Sequence, residues 1–403
     1  MLNKDFRITI LTVVLPIILQ LIYIRYVSYY ITKSDFGNFV ILNTFVISLS
    51  QIFLSIPSQS FMRFYHNSEK VNFINEFRTY LIGVNIISIL FIYFLYLFYE
   101  DRFNVSVYIL IYIYFAISNN YSLNQQVFLL NMDRKKYLVL KFIEGMAKFI
   151  FPIIWYFIYQ TLESFLIGLV IGYTLSFIII SFYLKEYPFK IEFNFKNQKK
   201  YFLYAYPIIF SSIFSWSISF SDRYFIDYYV GTKDVAIYAI LATFAGFAQV
   251  LGMIYSIYVN PIILKQYEEN KTKGLKLLKN YLVRFLYLNI FVFMIVLSLP
   301  KSLFTIFIEE SVIYNETYYL TFILLVIGIF LTVFQTAMSM YFILLKRLDI
   351  HAKIFIVASS VNFILNFYVI QYGIIAAAIS TLMAYLVLNV GQVIYLRGVS
   401  DNK

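Results

Sequence analysis

Glu144 and Lys148 stand four residues apart in a largely apolar run, an acid followed one helical turn later by a base. On a helix this order and spacing puts both side chains on one face and favours an ion pair. Two chemistries fit the pair. It can neutralise itself so that the run enters an apolar medium, or a bound anion can capture Lys148 and leave Glu144 to take a proton. Arg25 lies in another apolar run, with no acid between Asp5 and Asp35. Its own helix therefore offers it no carboxylate. Arg223 has Asp227 at i+4 on the same face, and the adjacent Asp222 points about 100° away from both. Ser118, Asn119, Asn120, Ser122, Asn124, Gln125 and Gln126 form a polar belt in a further apolar run. Their amides suit hydrogen bonds either to neighbouring helices or to sugar hydroxyls.

An arginine fork binds phosphate bidentately and a lysine acts as a point charge. Arg25, Lys148 and, to a lesser degree, Arg223 are therefore candidate contacts for a phosphate-bearing ligand, with Asn120, Asn124 and Gln125 as amides for its sugars. Glu144, Asp222 and Asp227 are the candidate coupling or ion-pair residues. The chain has no cysteine and only two histidines, His66 and His351. That excludes thiolate nucleophiles, disulfides and zinc-type sites, so no metal, cofactor or catalytic residue is expected.

The elements that must hold these groups follow from composition. Of 403 residues, 61% are hydrophobic and 13% charged, too few polar side chains to cover a soluble core. At about 20 residues per span plus a loop, the length accommodates about twelve transmembrane helices. They are placed at roughly 8–30, 37–61, 79–99, 105–130, 138–160, 164–184, 201–229, 235–262, 281–299, 315–345, 350–370 and 373–396. An even number returns both termini to one side. That side gathers most of the 32 basic residues, whereas the opposite loops hold only Lys33, Arg102, Lys233 and Lys301. The positive-inside rule makes the basic side, both termini included, cytoplasmic. The positive excess is spread over many short segments rather than one folded face, which argues against nucleic acid as a partner. The longest connections, 185–200 and 263–280, are too short for a soluble catalytic domain.

Residues 185–200 divide the chain into an N-terminal six-helix bundle, 1–184, and a C-terminal one, 201–403. The halves echo each other. Pro16-Ile17-Ile18 answers Pro207-Ile208-Ile209, Arg25-Tyr26 answers Arg223-Tyr224, and Phe39, Thr44 and Phe45 answer Tyr238, Thr243 and Phe244. Six spans per half relate the two by a pseudo-two-fold along the membrane normal, around a central cavity. In that arrangement Asp222 is expected to pair with Arg25 across the halves. Pro16, Pro57, Pro207 and Pro261 mark expected helix kinks.

The run Tyr206-Pro207-Ile208-Ile209, then Ser221-Asp222-Arg223-Tyr224-Phe225-Ile226 and Val230-Gly231-Thr232-Lys233-Asp234-Val235-Ala236-Ile237-Tyr238, resembles the Wzx-type polysaccharide-repeat flippases. Their superfamily also contains the multidrug and toxic-compound exporters. Thr32-Lys33-Ser34-Asp35-Phe36-Gly37, Asn362, Asn366, Tyr372-Gly373-Ile374 and Ala376-Ala377-Ala378-Ile379-Ser380-Thr381 extend the resemblance over nearly the whole chain. It departs at Ala236, where the family usually has glycine.

The resemblance implies translocation of undecaprenyl-diphosphate-linked oligosaccharide repeat units, of O-antigen, lipopolysaccharide or capsule type, across the bacterial inner membrane. It implies a monomer working among membrane lipids alongside polysaccharide-assembly proteins. A multidrug exporter of the same fold is the main alternative, but the first four spans lack the acidic residue that cationic cargo would need. A membrane-embedded sugar polymerase or ligase would need a larger outer loop than 300–314. A scaffold without transport is the remaining alternative.

Overall fold

A computed structural model describes residues 4–65 and 68–401. His66 falls outside them, and so do the side chains of Pro207 and Pro261. The described chain is helical, with no strand among the described residues. An apolar run in lipid must satisfy every backbone donor and acceptor within itself, and the α-helix does this locally. In the first half the order is α1 (Lys4–Tyr30), α2 (Lys33–Phe64), α3 (Lys70–Tyr99), α4 (Val105–Leu130), α5 (Arg134–Gly145), α6 (Phe151–Tyr159) and α7 (Leu162–Tyr183). The second half holds α8 (Phe195–Phe220), α9 (Asp222–Tyr229), α10 (Thr232–Ala245), α11 (Gln249–Glu269), α12 (Lys271–Ser298) and the short α13 (Lys301–Phe304) and α14 (Glu310–Ile313). It ends with α15 (Glu316–Leu344), α16 (Leu348–Val369) and α17 (Ile374–Asp401).

Every stretch read as a span is helical. Nine helices among the described residues are long and apolar enough to cross a membrane, and a tenth counts if Phe195–Tyr206 and Ile209–Tyr229, bent by 48°, form one span. The chain is a multi-pass membrane protein. Large apolar side chains exposed along α3, among them Ile86, Ile89, Leu90 and Phe98, are what a lipid-facing helix presents.

One span is interrupted, and one turn between spans is set, for visible reasons. Between α5 and α6 the chain makes a π turn, Met146–Ile150, in which the Phe151 amide reaches back to Met146 O. Pro152 follows at the start of α6. It has no amide hydrogen for the carbonyl of Lys148 and its ring crowds that turn, so the ladder widens there. Between α9 and α10, Gly231 takes φ 135°, a conformation that side-chain-bearing residues rarely adopt. The 263–280 connection is helical rather than a loop. α11 and α12 meet at Asn270, whose side chain accepts from the Lys273 amide at 3.0 Å, an N-cap that satisfies an orphan donor.

The chain folds as two compact units, Met1–Ile213 and Phe214–Lys403. The first has an aromatic core in which Phe61, Phe73, Phe77 and Tyr201 stack at centroid distances of 5.0–5.6 Å. The second packs Tyr255, Ile263, Leu278 and Phe285 against Val333 and Met340, and Ile218 against Ala358, Ala384 and Leu388.

Candidate functional site

The π turn fixes the geometry around Glu144. Its carboxylate is held by Lys141, whose Nζ lies 2.8 Å from Oε2, and by Gln125 Nε2 at 3.1 Å from the same oxygen. The expected i+4 partner, Lys148, instead carries its ammonium 5.4 Å above the Phe149 ring, with the side chain exposed on the unit's surface. The difference has a physical cause. Glu144 ends a regular α-helix and Lys148 sits within the wider turn imposed by Pro152, so the i, i+4 relation of an α-helix does not carry across.

Three glycines let neighbouring helices approach this turn. A Cβ on Gly145 would meet Leu19 of α1 at 2.8 Å. One on Gly168 would meet the Phe151 carbonyl oxygen at 2.6 Å, and one on Gly172 the Ala147 Cα at 2.7 Å. Gly168 and Gly172 are thus a small-xxx-small pair seating α7 directly on the backbone of the π turn.

The polar belt of α4 is shared out among neighbours. Asn119 accepts from Ser50 at 2.9 Å and Gln126 donates to Ser58 at 2.9 Å, both on α2. Gln125 reaches Glu144 on α5. Asn124 accepts from Arg78 Nε of α3 at 3.0 Å, and Asn120 donates to Ala116 O of its own helix at 2.8 Å. Most of the belt is therefore interhelical bonding. Asn120 and Asn124 alone of the three candidate amides also line a cavity of about 430 Å³, with Arg78, Ile82, Phe177 and the 184–189 segment.

At the other end of the unit, where the α1–α2, α3–α4 and α6–α7 turns meet, a cavity of about 330 Å³ is lined by Asp35, Asn38, Arg102, Asn104, Gln160 and Glu163. Tyr156 donates to Asp35 Oδ2 at 2.9 Å, and Asp35 with Thr32 caps α2. Arg25 is exposed, its guanidinium 5.4 Å from the centroid of Tyr29.

In the second unit Asp222 is 1% exposed. Its Oδ2 accepts from the Tyr238 hydroxyl and, at 3.4 Å, from Thr381, whereas Oδ1 is buried with no hydrogen-bond partner. This polar cluster belongs to one half only. The repeat offset places Ile24 and Phe39, both buried, where the second half has Asp222 and Tyr238. Arg223 packs its guanidinium 4.5 Å from the Phe220 ring, and Asp227 accepts from Thr232 at 2.9 Å.

The structure thus brings Gln125 to Glu144, and Asn120 to Asn124, and adds two cations not singled out above, Lys141 and Arg78. Lys141 precedes Glu144 by three residues, a spacing legible in the sequence. Arg78 depends on Asn124 of α4 and on the Tyr187 carbonyl, 109 residues on, as well as on Asn75 of its own helix.

The family profile described as polysaccharide biosynthesis protein matches residues 2–265, and the MatE profile matches residues 207–368. No curated protein sequence matches the chain. Among solved structures, the chain is similar to the lipid II flippase MurJ in an inward closed conformation, at 15% identity and TM-score 0.75, over 97% of this chain and 87% of that one. An inward-facing multidrug resistance MATE family transporter of the MOP superfamily matches at 14% identity and TM-score 0.67, over 97% and 98% of the two chains. The Vibrio cholerae MATE transporter VcmN in its bent form matches at 13% identity and TM-score 0.59, over 98% and 96%. At these identities the likeness is one of fold.

Proposed function

The chain belongs to the polysaccharide biosynthesis protein family, and we propose from that premise that it is a flippase for undecaprenyl-diphosphate-linked oligosaccharide repeat units. It moves them from the inner to the outer leaflet of a bacterial plasma membrane without making or breaking a covalent bond. The family match over residues 2–265 carries this reading. The fold likeness to a flippase of another lipid-linked saccharide supports it, as does the prevalence of cations over acids in the apolar stretches of the first half. The basic termini and the 185–200 segment lie in the cytoplasm.

In this reading Arg25 and Lys148 contact the diphosphate and Arg223 contributes less. Both first-unit cations are exposed. Glu144 and Asp222 are the protonatable groups through which a gradient can be coupled, with Asp227 structural beside Thr232.

The MatE match over residues 207–368 favours one competing reading, export of cationic drugs. A deletion strain separates the two. Accumulation of lipid-linked repeat units in the inner leaflet, with drug tolerance unchanged, is expected. Unchanged surface polysaccharide with lowered drug tolerance would overturn the proposal.

A further inference from the structure

Arg78 sits about 12 Å into α3 at the helical rise, and it is 9% exposed. A buried guanidinium is costly unless every donor finds an acceptor or an anion. Three of its N–H groups are engaged. Nε donates to Asn124 at 3.0 Å, and Nη1 donates to Tyr187 O at 2.8 Å and to Asn75 at 3.3 Å. None of these bonds uses Nη2, and Arg78 lines the 430 Å³ cavity.

That cavity has a consistent character. It is lined by Asn120 and Asn124, by Ile82 and Phe177, and by the exposed Lys185. Ile82 continues the exposed apolar stripe of α3, so the cavity opens on the hydrocarbon side of the unit. It lies near the cytoplasmic ends of α3, α4 and α7, the depth at which lipid headgroups meet the protein. The segment after α7 closes over it like a strap, held by Asn75 donating to Pro188 O at 3.0 Å and by the Glu192 amide donating to Thr79 at 2.9 Å.

A basic pocket between helices on the cytoplasmic side, walled by apolar side chains and opening on lipid, matches the headgroup of an anionic phospholipid. We propose that the Arg78–Lys185 cavity binds the phosphate of a resident anionic phospholipid of the inner leaflet. Nη2 and the Lys185 ammonium take the phosphate oxygens, and the acyl chains run along Ile82 and Phe177. The orientation rests on the topology proposed above. The site itself does not require that the protein flip anything.

The test is lipid retention by purified protein, read by native mass spectrometry after reconstitution with mixed phosphatidylglycerol and phosphatidylcholine. The wild-type chain is expected to retain phosphatidylglycerol in preference to phosphatidylcholine. Arg78→Gln and Lys185→Gln are each expected to weaken that retention roughly tenfold or more, the loss of one charge-assisted contact. If Arg78→Gln fails to fold because it frees the strap, Lys185→Gln, an exposed substitution, decides alone. Equal retention of the two lipids, or unchanged retention in Lys185→Gln, would overturn the proposal. Displacement of phosphatidylglycerol by inorganic pyrophosphate would also overturn it, by making the cavity a diphosphate subsite. A protein that retains lipid normally yet exports no polysaccharide precursor contradicts only the flippase reading.

Discussion

Lys141 Nζ lies 2.8 Å from Glu144 Oε2, so the carboxylate of the π-turn region is neutralised from the turn before it. The ion pair that stabilises the unit and the cation offered for cargo are therefore different lysines.

Removing each lysine should give opposite results. Lys141→Ala leaves a half-buried carboxylate with Gln125 as its one hydrogen-bond partner and should cost about 1–3 kcal/mol. That loss should be visible as a lower unfolding temperature in detergent and lower membrane abundance, and Glu144→Gln should restore both. Lys148→Ala should leave abundance unchanged while reducing polysaccharide export. If Lys148→Ala is the less abundant variant, or if Glu144→Gln restores export to it, Lys148 is a structural counter-ion.

The α7 contact with the π turn should tolerate no added methyl. Gly172→Ala would drive a Cβ to within 2.7 Å of the Ala147 Cα, a backbone atom that cannot swing aside, and should destabilise by about 1–3 kcal/mol. Gly83→Ala on α3 meets nothing within 4 Å and should be neutral, or stabilising by up to about 1 kcal/mol through helix propensity. Thermal unfolding of the two variants side by side checks the contrast.

What the sequence made legible, and what it hid, divides along range of interaction. The spans, the basic and acidic sides and the family resemblance follow from local runs and motifs, and each is visible without a structure. The spacing of Gly168 and Gly172 was equally local, and it marks where α7 comes closest to its neighbour. The partner of Glu144 was not legible from i, i+4 spacing because Pro152, eight residues on, changes the helix type between Glu144 and Lys148. The role of Arg78 was hidden for a different reason. Besides Asn75 on its own helix, its acceptors are Asn124 of α4 and the Tyr187 carbonyl of the strap, which only tertiary packing brings to it.

Asp222 and Tyr238 give a test of the second unit. Tyr238→Phe removes a donor from a buried carboxylate that already has one oxygen without a partner, and should destabilise by about 1–3 kcal/mol. Asp222→Asn combined with Tyr238→Phe removes the charge that needed the donor and should recover most of the unfolding temperature. The first half holds Ile24 and Phe39 at the corresponding positions, both buried, so a helix pair of this kind packs without the polar contact. If the stable double variant still exports polysaccharide, Asp222 has no part in coupling.

Sidedness can be read directly because the chain has no cysteine. A single cysteine at Lys190, exposed on the strap, should resist an impermeant thiol reagent in intact cells and react after lysis. One at the exposed Glu310 should react in both. Labelling of the Lys190 variant in intact cells would invert the topology, and with it the leaflet from which cargo is taken.

Arg25 provides the sharpest check on cargo chemistry. Its guanidinium is exposed and lies 5.4 Å from the centroid of the Tyr29 ring, a cation–π contact worth less than about 1 kcal/mol at an exposed site. An effect on export at matched abundance therefore reports on the ligand and not on folding. A fork of parallel donors binds phosphate oxygens in pairs, whereas an ammonium offers a single charge. Arg25→Lys should accordingly impair export and Arg25→Ala impair it further, the latter by roughly tenfold or more if one charge-assisted pair is lost. Export by Arg25→Ala equal to wild type would remove Arg25 from the cargo path. Equal impairment of the lysine and alanine variants would also count against a simple charge contact, since it would mean that only the two-pronged geometry matters.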